Sequence, residues 1–225
     1  MSLHIHDDIE QGTDAWLELR RGMVTASVVG QLLTATGRPA KNDYSRRLTL
    51  TLVAERITGH IEPVFVTDDM LRGTLDEPIA RDIYSGHYEQ ATEVGFMVRS
   101  FDGFKIGYSP DGLVGDEGCI EIKSPRAKEH IRTVLADEVP DRYMPQVQCG
   151  LLVSGRKWCD YVSYSGGEPM WRKRVYADPK WHEAIVEAVA TFEQVAEEMQ
   201  HNYATATKGL PATERRFDLD EIKVA

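Results

Sequence analysis

The chain has 225 residues, 42% hydrophobic and 28% charged, enough to bury the core of one generous domain. Its 26 basic and 36 acidic residues leave a net charge of −10, which excludes a histone-like protein that coats nucleic acid through bulk positive charge. No apolar run approaches the ~20 residues that span a bilayer, and the acidic start MSLHIHDDIEQGTDAW lacks the order of a secretory leader, so a cytoplasmic protein is expected. Cys119, Cys149 and Cys159 are too few and too scattered for a disulfide framework or an iron–sulfur cluster, and among the scattered histidines His4 and His6 read as solvated residues, not a zinc site.

In chain order, the first ten residues read as an irregular lead-in. Short helices are predicted over Thr13–Leu19 and Ser27–Leu33. Asn42 or Asp43 caps a helix over YSRRLTLTLVAERIT, which Gly59 closes. Thr74-x-x-Glu77, followed by Pro78, starts a further helix through Tyr84. The texture then changes to short β-rich pieces, EVGFMVRS, FKIGYS, GLVG and CIEIKS, punctuated by Gly and Asp. Helices are predicted again at Ala127–Ala136 and Tyr143–Val153, then strands WCDYVSYS and MWRKRVYA joined at Gly166-Gly167. Asp178-Pro179 opens the longest helix, with Trp181, Ile185, Val189, Phe192 and Met199 in one apolar stripe. The expectation is a mixed α/β single domain, a central mixed β-sheet flanked by helices, over residues 1–204. The tail, 205–225, has balanced charge and few large apolar residues and is expected to be mobile or to dock on a partner.

Chemistry concentrates at Ser109-Pro110-Asp111-Gly112 and Glu121-Ile122-Lys123. In a strand, Ile120 and Ile122 point into the core while Glu121 and Lys123 share the other face. A three-residue loop at 115–117 pairs Asp111 with Glu121; a two-residue turn pairs it with Ile122 and puts it on the wrong face. Two adjacent carboxylates repel unless a cation lies between them, and hard oxygen donors select Mg²⁺ or Mn²⁺. The Ile122 carbonyl is a third candidate ligand, and Lys123 a group to orient or deprotonate an attacking water. Such a set suits phosphodiester hydrolysis. The bland alternatives are an ordinary type I turn at Ser-Pro-Asp-Gly and a solvated Glu-x-Lys pair.

Other residues carry two readings each. Glu77 completes a capping box or faces a metal site. Gln146 and Gln148 diverge by about 200° on a helix, so only one faces the cleft, and a buried structural glutamine competes with that role. Arg20 offers a fork for phosphate, with Ser27 adding a hydroxyl, or it pairs with Glu18 or Asp14; Arg21 can exchange roles with it. Residues 20–56 carry seven basic side chains against Asp43 and Glu55, a local surplus that could supply phosphate contacts or is simply a solvated helix face.

Pro-Asp, nine residues, then Glu-x-Lys resembles the signature of the restriction-endonuclease-like nuclease superfamily. Within it the chain is similar to the phage lambda-type alkaline exonucleases, or YqaJ-like viral recombinases. The likeness runs from Trp16 to about Val153, through LRRGMVTAS (19–27), RGTLDEPIA (72–80), SPDGL (109–113), EIKSP (121–125) and YMPQVQ (143–148). The resemblance implies a restriction-endonuclease-like core and a metal-dependent 5′→3′ exonuclease on double-stranded DNA ends. It would release 5′-mononucleotides and leave 3′ single strands for recombination by annealing. It further implies Asp111, Glu121 and the Ile122 carbonyl on Mg²⁺ (Mn²⁺ substituting), with Glu77 at a second ion, directly or through water. Lys123 would activate water, Gln146 would sit in the cleft, and Arg20, Ser27 and Ser109 would bind the 5′-phosphate. Arg38 and Met70 fall near positions that grip and split the duplex end. A ring-shaped trimer, a single-strand-annealing recombinase as partner and a phage or prophage origin belong to the same implication. The competing expectations are an endonuclease with the same core and a non-catalytic DNA-binding scaffold.

Overall fold

The structure, a computed structural model, describes residues 2–63 and 65–215. Its strands divide between two mixed sheets. The first, in the order β1-β4-β5-β2, comprises β1 (Ser2–His6), β4 (Phe96–Ser100), β5 (Lys105–Tyr108) and β2 (Val24–Thr25). The second, β3-β6-β7-β8-β9, comprises β3 (Ala91–Thr92), β6 (Gly112–Val114), β7 (Gly118–Lys123), β8 (Trp158–Ser163) and β9 (Trp171–Tyr176). Within the second sheet β7 and β8 run parallel, connected through α4 (Ala127–Ala136) and α5 (Met144–Ser154). The remaining helices are α1 (Asp14–Arg20), α2 (Asp43–Thr58), α3 (Asp68–His87) and α6 (Pro179–Ala206).

Several ends follow from local chemistry. Asn42 and Ser45 exchange side-chain-to-backbone bonds as a capping box for α2, and Gly59 closes that helix at φ +65°. Thr13 caps α1 and Asp178 caps α6, where Pro179 needs no donor. The stripe Ile185, Val189 and Phe192 packs with Leu48, Leu52 and Val53 of α2 in the largest core. The five-stranded sheet is covered on both faces. Ile120, Ile122 and Val162 meet Ala80 and Tyr84 of α3, while Cys119, Cys159 and Tyr161 meet Val147 and Leu151 of α5.

Three expectations need correction. The lead-in is not irregular: Ser2–His6 is a strand paired antiparallel with β4, recruited by an available sheet edge. The Ser27–Leu33 helix shrinks to one 3-10 turn at Val29–Leu32. The third helix begins at Asp68, capped by Thr67; Thr74 lies inside it, its hydroxyl donating to the Met70 carbonyl, so Thr74-x-x-Glu77 is no capping box. At the other end α6 runs through Ala206, and residues 216–225 of the expected tail lie outside the described residues. No helix among the described residues is long and apolar enough to cross a membrane.

Candidate active site

The β6–β7 hairpin turns through three residues, with Gly115 at φ +49°, and pairs Gly112 with Ile120 and Val114 with Gly118. One more step of that register puts Asp111 opposite Glu121. Side chains directly opposite share a face, so both carboxylates lie on the face that α5 covers. Glu121 is fully buried. Its Oε1 accepts from Gln146 Nε2 at 2.5 Å and meets Lys123 Nζ at 2.6 Å. Its Oε2 is one of two buried side-chain atoms, among the described residues, without a hydrogen-bond partner.

Asp111 Oδ2 accepts the Ile122 amide at 2.5 Å. Tyr164 N–H donates to the Lys123 carbonyl, so the polar groups of Lys123 face β8. Those of Ile122 face the opposite way in the sheet plane, which turns its carbonyl toward the Asp111 side. Glu77 reaches the same cleft from α3, held at 3.2 Å by Arg81, whose guanidinium also bonds the Asp111 carbonyl at 2.5 Å and Glu93 at 2.9 Å. The cleft, about 720 Å³, is lined among others by Met70, Glu77, Asp111, Ile122, Lys123 and Tyr143.

Burial pushes the Asp111 carboxyl well above its ordinary value, and Glu121 and Glu77 add to the rise; Lys123 and the Ile122 amide oppose it. Burial likewise raises Glu77, against the pull of Arg81. For Lys123 burial favours the neutral amine, but Glu121 and Asp111 outweigh it and the ammonium is stabilised. Among the described residues no three His, Cys, Asp or Glu side chains gather closely enough to enclose an ion by themselves. The donors on offer are two carboxylates and a backbone carbonyl, with Glu77 beside them. An unpartnered, fully buried carboxylate oxygen on this hard-oxygen set fits a divalent cation.

A second cluster adjoins the first through the chain itself. Arg20 reaches Ser109 Oγ and Ser27 Oγ, each at 3.4 Å, and its guanidinium lies 3.8 Å over the Trp16 ring. Trp16 Nε1 donates to Ser109 Oγ at 2.9 Å, and Thr25 bonds Ser27. Burial pulls the Arg20 guanidinium down to about 10, with Glu55 acting the other way. Arg21 turns elsewhere, to Glu18 and to the Gly59 carbonyl, both at 2.7 Å. Of the two glutamines, Gln146 meets Glu121, whereas Gln148 is buried between the Tyr176 carbonyl and the Asp178 amide.

The remaining candidates separate. Met70 stands exposed at the cleft mouth, in the first turn of α3. Arg38 sits on the exposed loop before α2, apart from the cleft lining. The basic surplus of residues 20–56 is partly neutralised within the chain: Arg56 forks onto Glu193 of α6 at 2.6 and 2.8 Å between helices, while Arg46 pairs with Asp43 and Arg21 with Glu18 at the surface. Sequence reasoning missed Trp16, Arg81 and Tyr143. Tyr143 opens the block YMPQVQ and Trp16 lies just before LRRGMVTAS, but an aromatic near a polar site reads as core from spacing alone.

A family model described as the YqaJ-like viral recombinase domain matches residues 15–157. Among solved structures, the alkaline exonuclease LHK-Exo from Laribacter hongkongensis is 32% identical, with TM-score 0.73 over 86% of this chain and all of that one. LHK-Exo in complex with dAMP, also 32% identical, aligns at TM-score 0.78, covering 88% of this chain and all of that one. A phage-related exonuclease from Haemophilus somnus shares the fold at 11% identity and TM-score 0.65, covering 80% of this chain and 96% of that one. No curated protein matches the chain.

Proposed function

The chain belongs to the YqaJ-like viral recombinase family and is a nuclease of the exonuclease kind; from that premise we propose that it is a metal-dependent 5′→3′ exonuclease acting on double-stranded DNA ends. The observation that carries the finer reading is the junction of the two clusters. Ser109, beside the Arg20 fork, and Asp111, beside Glu121, are two residues apart, so their Cα atoms are no more than about 7 Å apart. A terminal phosphate anchored at Arg20, Ser27 and Ser109 then presents the first phosphodiester, roughly one nucleotide away, to the carboxylates. That spacing favours release of 5′-mononucleotides, leaving 3′ single strands. The dAMP bound by LHK-Exo is a deoxynucleoside monophosphate, the class of product this reading assigns.

Asp111, Glu121 and the Ile122 carbonyl would hold Mg²⁺, or Mn²⁺ in its place, with Glu77 at a second ion; bound there, the metal supplies Lewis acidity and an acidified water. Lys123 Nζ, steadied by Glu121, orients the attacking water and offsets charge developing on the scissile phosphate. Gln146 holds Glu121 in place. Arg20 selects the end, because a terminal phosphate carries one more charge than an internal one and has chain on one side only. Recombination by strand annealing with an annealing recombinase, a ring-shaped trimer around the duplex and a phage or prophage origin extend the same reading.

The test compares one plasmid, closed circular and linear with 5′-phosphates, with Mg²⁺ or EDTA. Mg²⁺-dependent loss of the linear form alone, leaving 3′ single strands, is the expected outcome. Cutting of the closed circle overturns the exonuclease reading, and binding of both forms without cleavage overturns the enzymatic one.

A further inference from the structure

The mouth of the cleft holds an arrangement that the proposed chemistry does not use. Two guanidiniums converge on one carboxylate oxygen: Arg72 Nη1 lies 2.7 Å and Arg126 Nε 2.9 Å from Asp69 Oδ1. The three residues come from the first turns of α3 and the start of α4, and all line the cleft with Asp111 and Lys123. Arg72 is fixed further by its second arm, which donates to the Ser124 carbonyl at 3.0 Å, one residue beyond Lys123. Ser124 is itself pinned by its hydroxyl to Asp76 at 2.5 Å. Arg126, by contrast, keeps 72% of its side chain in water, and Asp69 keeps 53%. A third arginine, Arg142, lies over the Tyr143 ring in the same lining.

The two guanidiniums share this exposed carboxylate in a lining whose basic side chains, Arg72, Lys123, Arg126 and Arg142, are matched by Asp69, Glu77, Asp111 and Glu129, so the pair is open to another anion only when Asp69 leaves it. A carboxylate bridging two guanidinium groups occupies the place that a tetrahedral anion fills with more oxygens and equal or greater charge. We propose that Arg72 and Arg126 form a receptor for a backbone phosphate of the DNA, distinct from the Arg20 pocket, and that Asp69 fills it in the free protein and swings out when the phosphate enters. This rests on the reading of the cleft as a DNA nuclease site and adds a contact that is blind to the end group. Arg72 supplies the fixed half of the receptor, anchored to the backbone that carries Lys123. Arg126 supplies the movable half.

The experiment measures affinity of the full-length protein for linear duplex by fluorescence anisotropy, in EDTA so that nothing is cut, across a range of salt. Arg126→Ala is expected to weaken binding about tenfold at low salt and to flatten the salt dependence by about one unit of slope. The loss should be equal for 5′-phosphorylated and 5′-hydroxyl ends. Asp69→Asn, which removes the resident anion, is expected to tighten binding severalfold. Arg132→Ala, an exposed arginine on α4 paired with Glu129, serves as control and should change neither quantity. If the wild-type protein binds and degrades linear duplex while Arg126→Ala and Asp69→Asn leave affinity and slope unchanged, the receptor is refuted and the exonuclease reading stands. A wild-type protein that binds no duplex refutes both.

Discussion

Replacing Arg20 isolates the end-recognition step from the chemistry. Its guanidinium is sheltered against Trp16 and faces two hydroxyls, Ser27 and Ser109, with no carboxylate partner among the described residues. A charged hydrogen-bond donor of this kind contributes about 2–3 kcal/mol when it meets an anion, and more than one arm of the fork is available. Arg20→Ala is therefore expected to lower the ratio of kcat/KM for 5′-phosphorylated over 5′-hydroxyl duplex by about 30- to 150-fold, bringing it near unity. Arg20→Lys keeps the charge but loses the fork and should fall between. Trp16→Phe keeps the stacked ring but removes the indole donor to Ser109, for a smaller fall. Arg21→Ala should leave the ratio unchanged, because that side chain is held by Glu18 and the Gly59 carbonyl. The assay is initial-rate release of acid-soluble nucleotide from two duplexes differing only in the 5′ group. A preserved ratio in Arg20→Ala, or a lost one in Arg21→Ala, would falsify the assignment.

Lys123→Ala should reduce cleavage by about a hundredfold or more while anisotropy shows duplex binding largely retained; parallel loss of both would make Lys123 a binding residue instead. The elevated carboxyls of Asp111 and Glu77 predict that protons compete with metal, so half-saturating Mg²⁺ should fall as pH rises, by up to about tenfold per pH unit for each proton displaced. Titrations at a series of pH values test this, and a constant half-saturation would contradict it. Away from the cleft, fully buried Asp160 accepts from Tyr84 at 2.6 Å, from Arg172 at 2.7 Å and from Arg174 at 2.8 and 2.9 Å. Burial alone would raise its carboxyl, but these donors outweigh it and hold it below the ordinary value. Its stabilisation is then complete above the unfolded-state value of about 3.9 and lost as pH falls through the lower folded value. Asp160→Asn should cost about 3 kcal/mol by denaturant unfolding at neutral pH, and the cost should shrink in acid; a pH-independent difference would refute the electrostatic account.

Much of the fold is legible because local rules and tertiary packing agree. Asn42 and Gly59 bracket α2, Asp178-Pro179 opens α6, and the alternation in CIEIK sends Ile120 and Ile122 to α3. The failures are places where a distant partner decides. Ser2–His6 carries no strand signal strong enough to stand alone and becomes one because β4 offers an edge. Thr74-x-x-Glu77 has the spacing of a cap, yet Thr67 starts the helix about two turns earlier. In the candidate site, residue types and order mark Asp111, Glu121 and Lys123, but not that α5 buries Glu121, that Arg81 ties Glu77 to the Asp111 carbonyl, or which of Arg20 and Arg21 turns inward. Those depend on side-chain directions set by packing between elements far apart in sequence.

The loop 115–117 is solvent-facing and touches no reacting group, so by ordinary expectation it should accept insertions freely. Its three-residue length nonetheless sets which residue faces Glu121. Slipping the hairpin by one residue, so that it closed through a two-residue turn at 116–117, would carry Ile122 into line with Asp111 and turn the carboxylates to opposite faces. Variation here should therefore be free at 116 and 117 and closed at Gly115, whose positive φ holds the turn in place: a change that moves the turn by one residue would silence the enzyme without disturbing one residue of its chemistry.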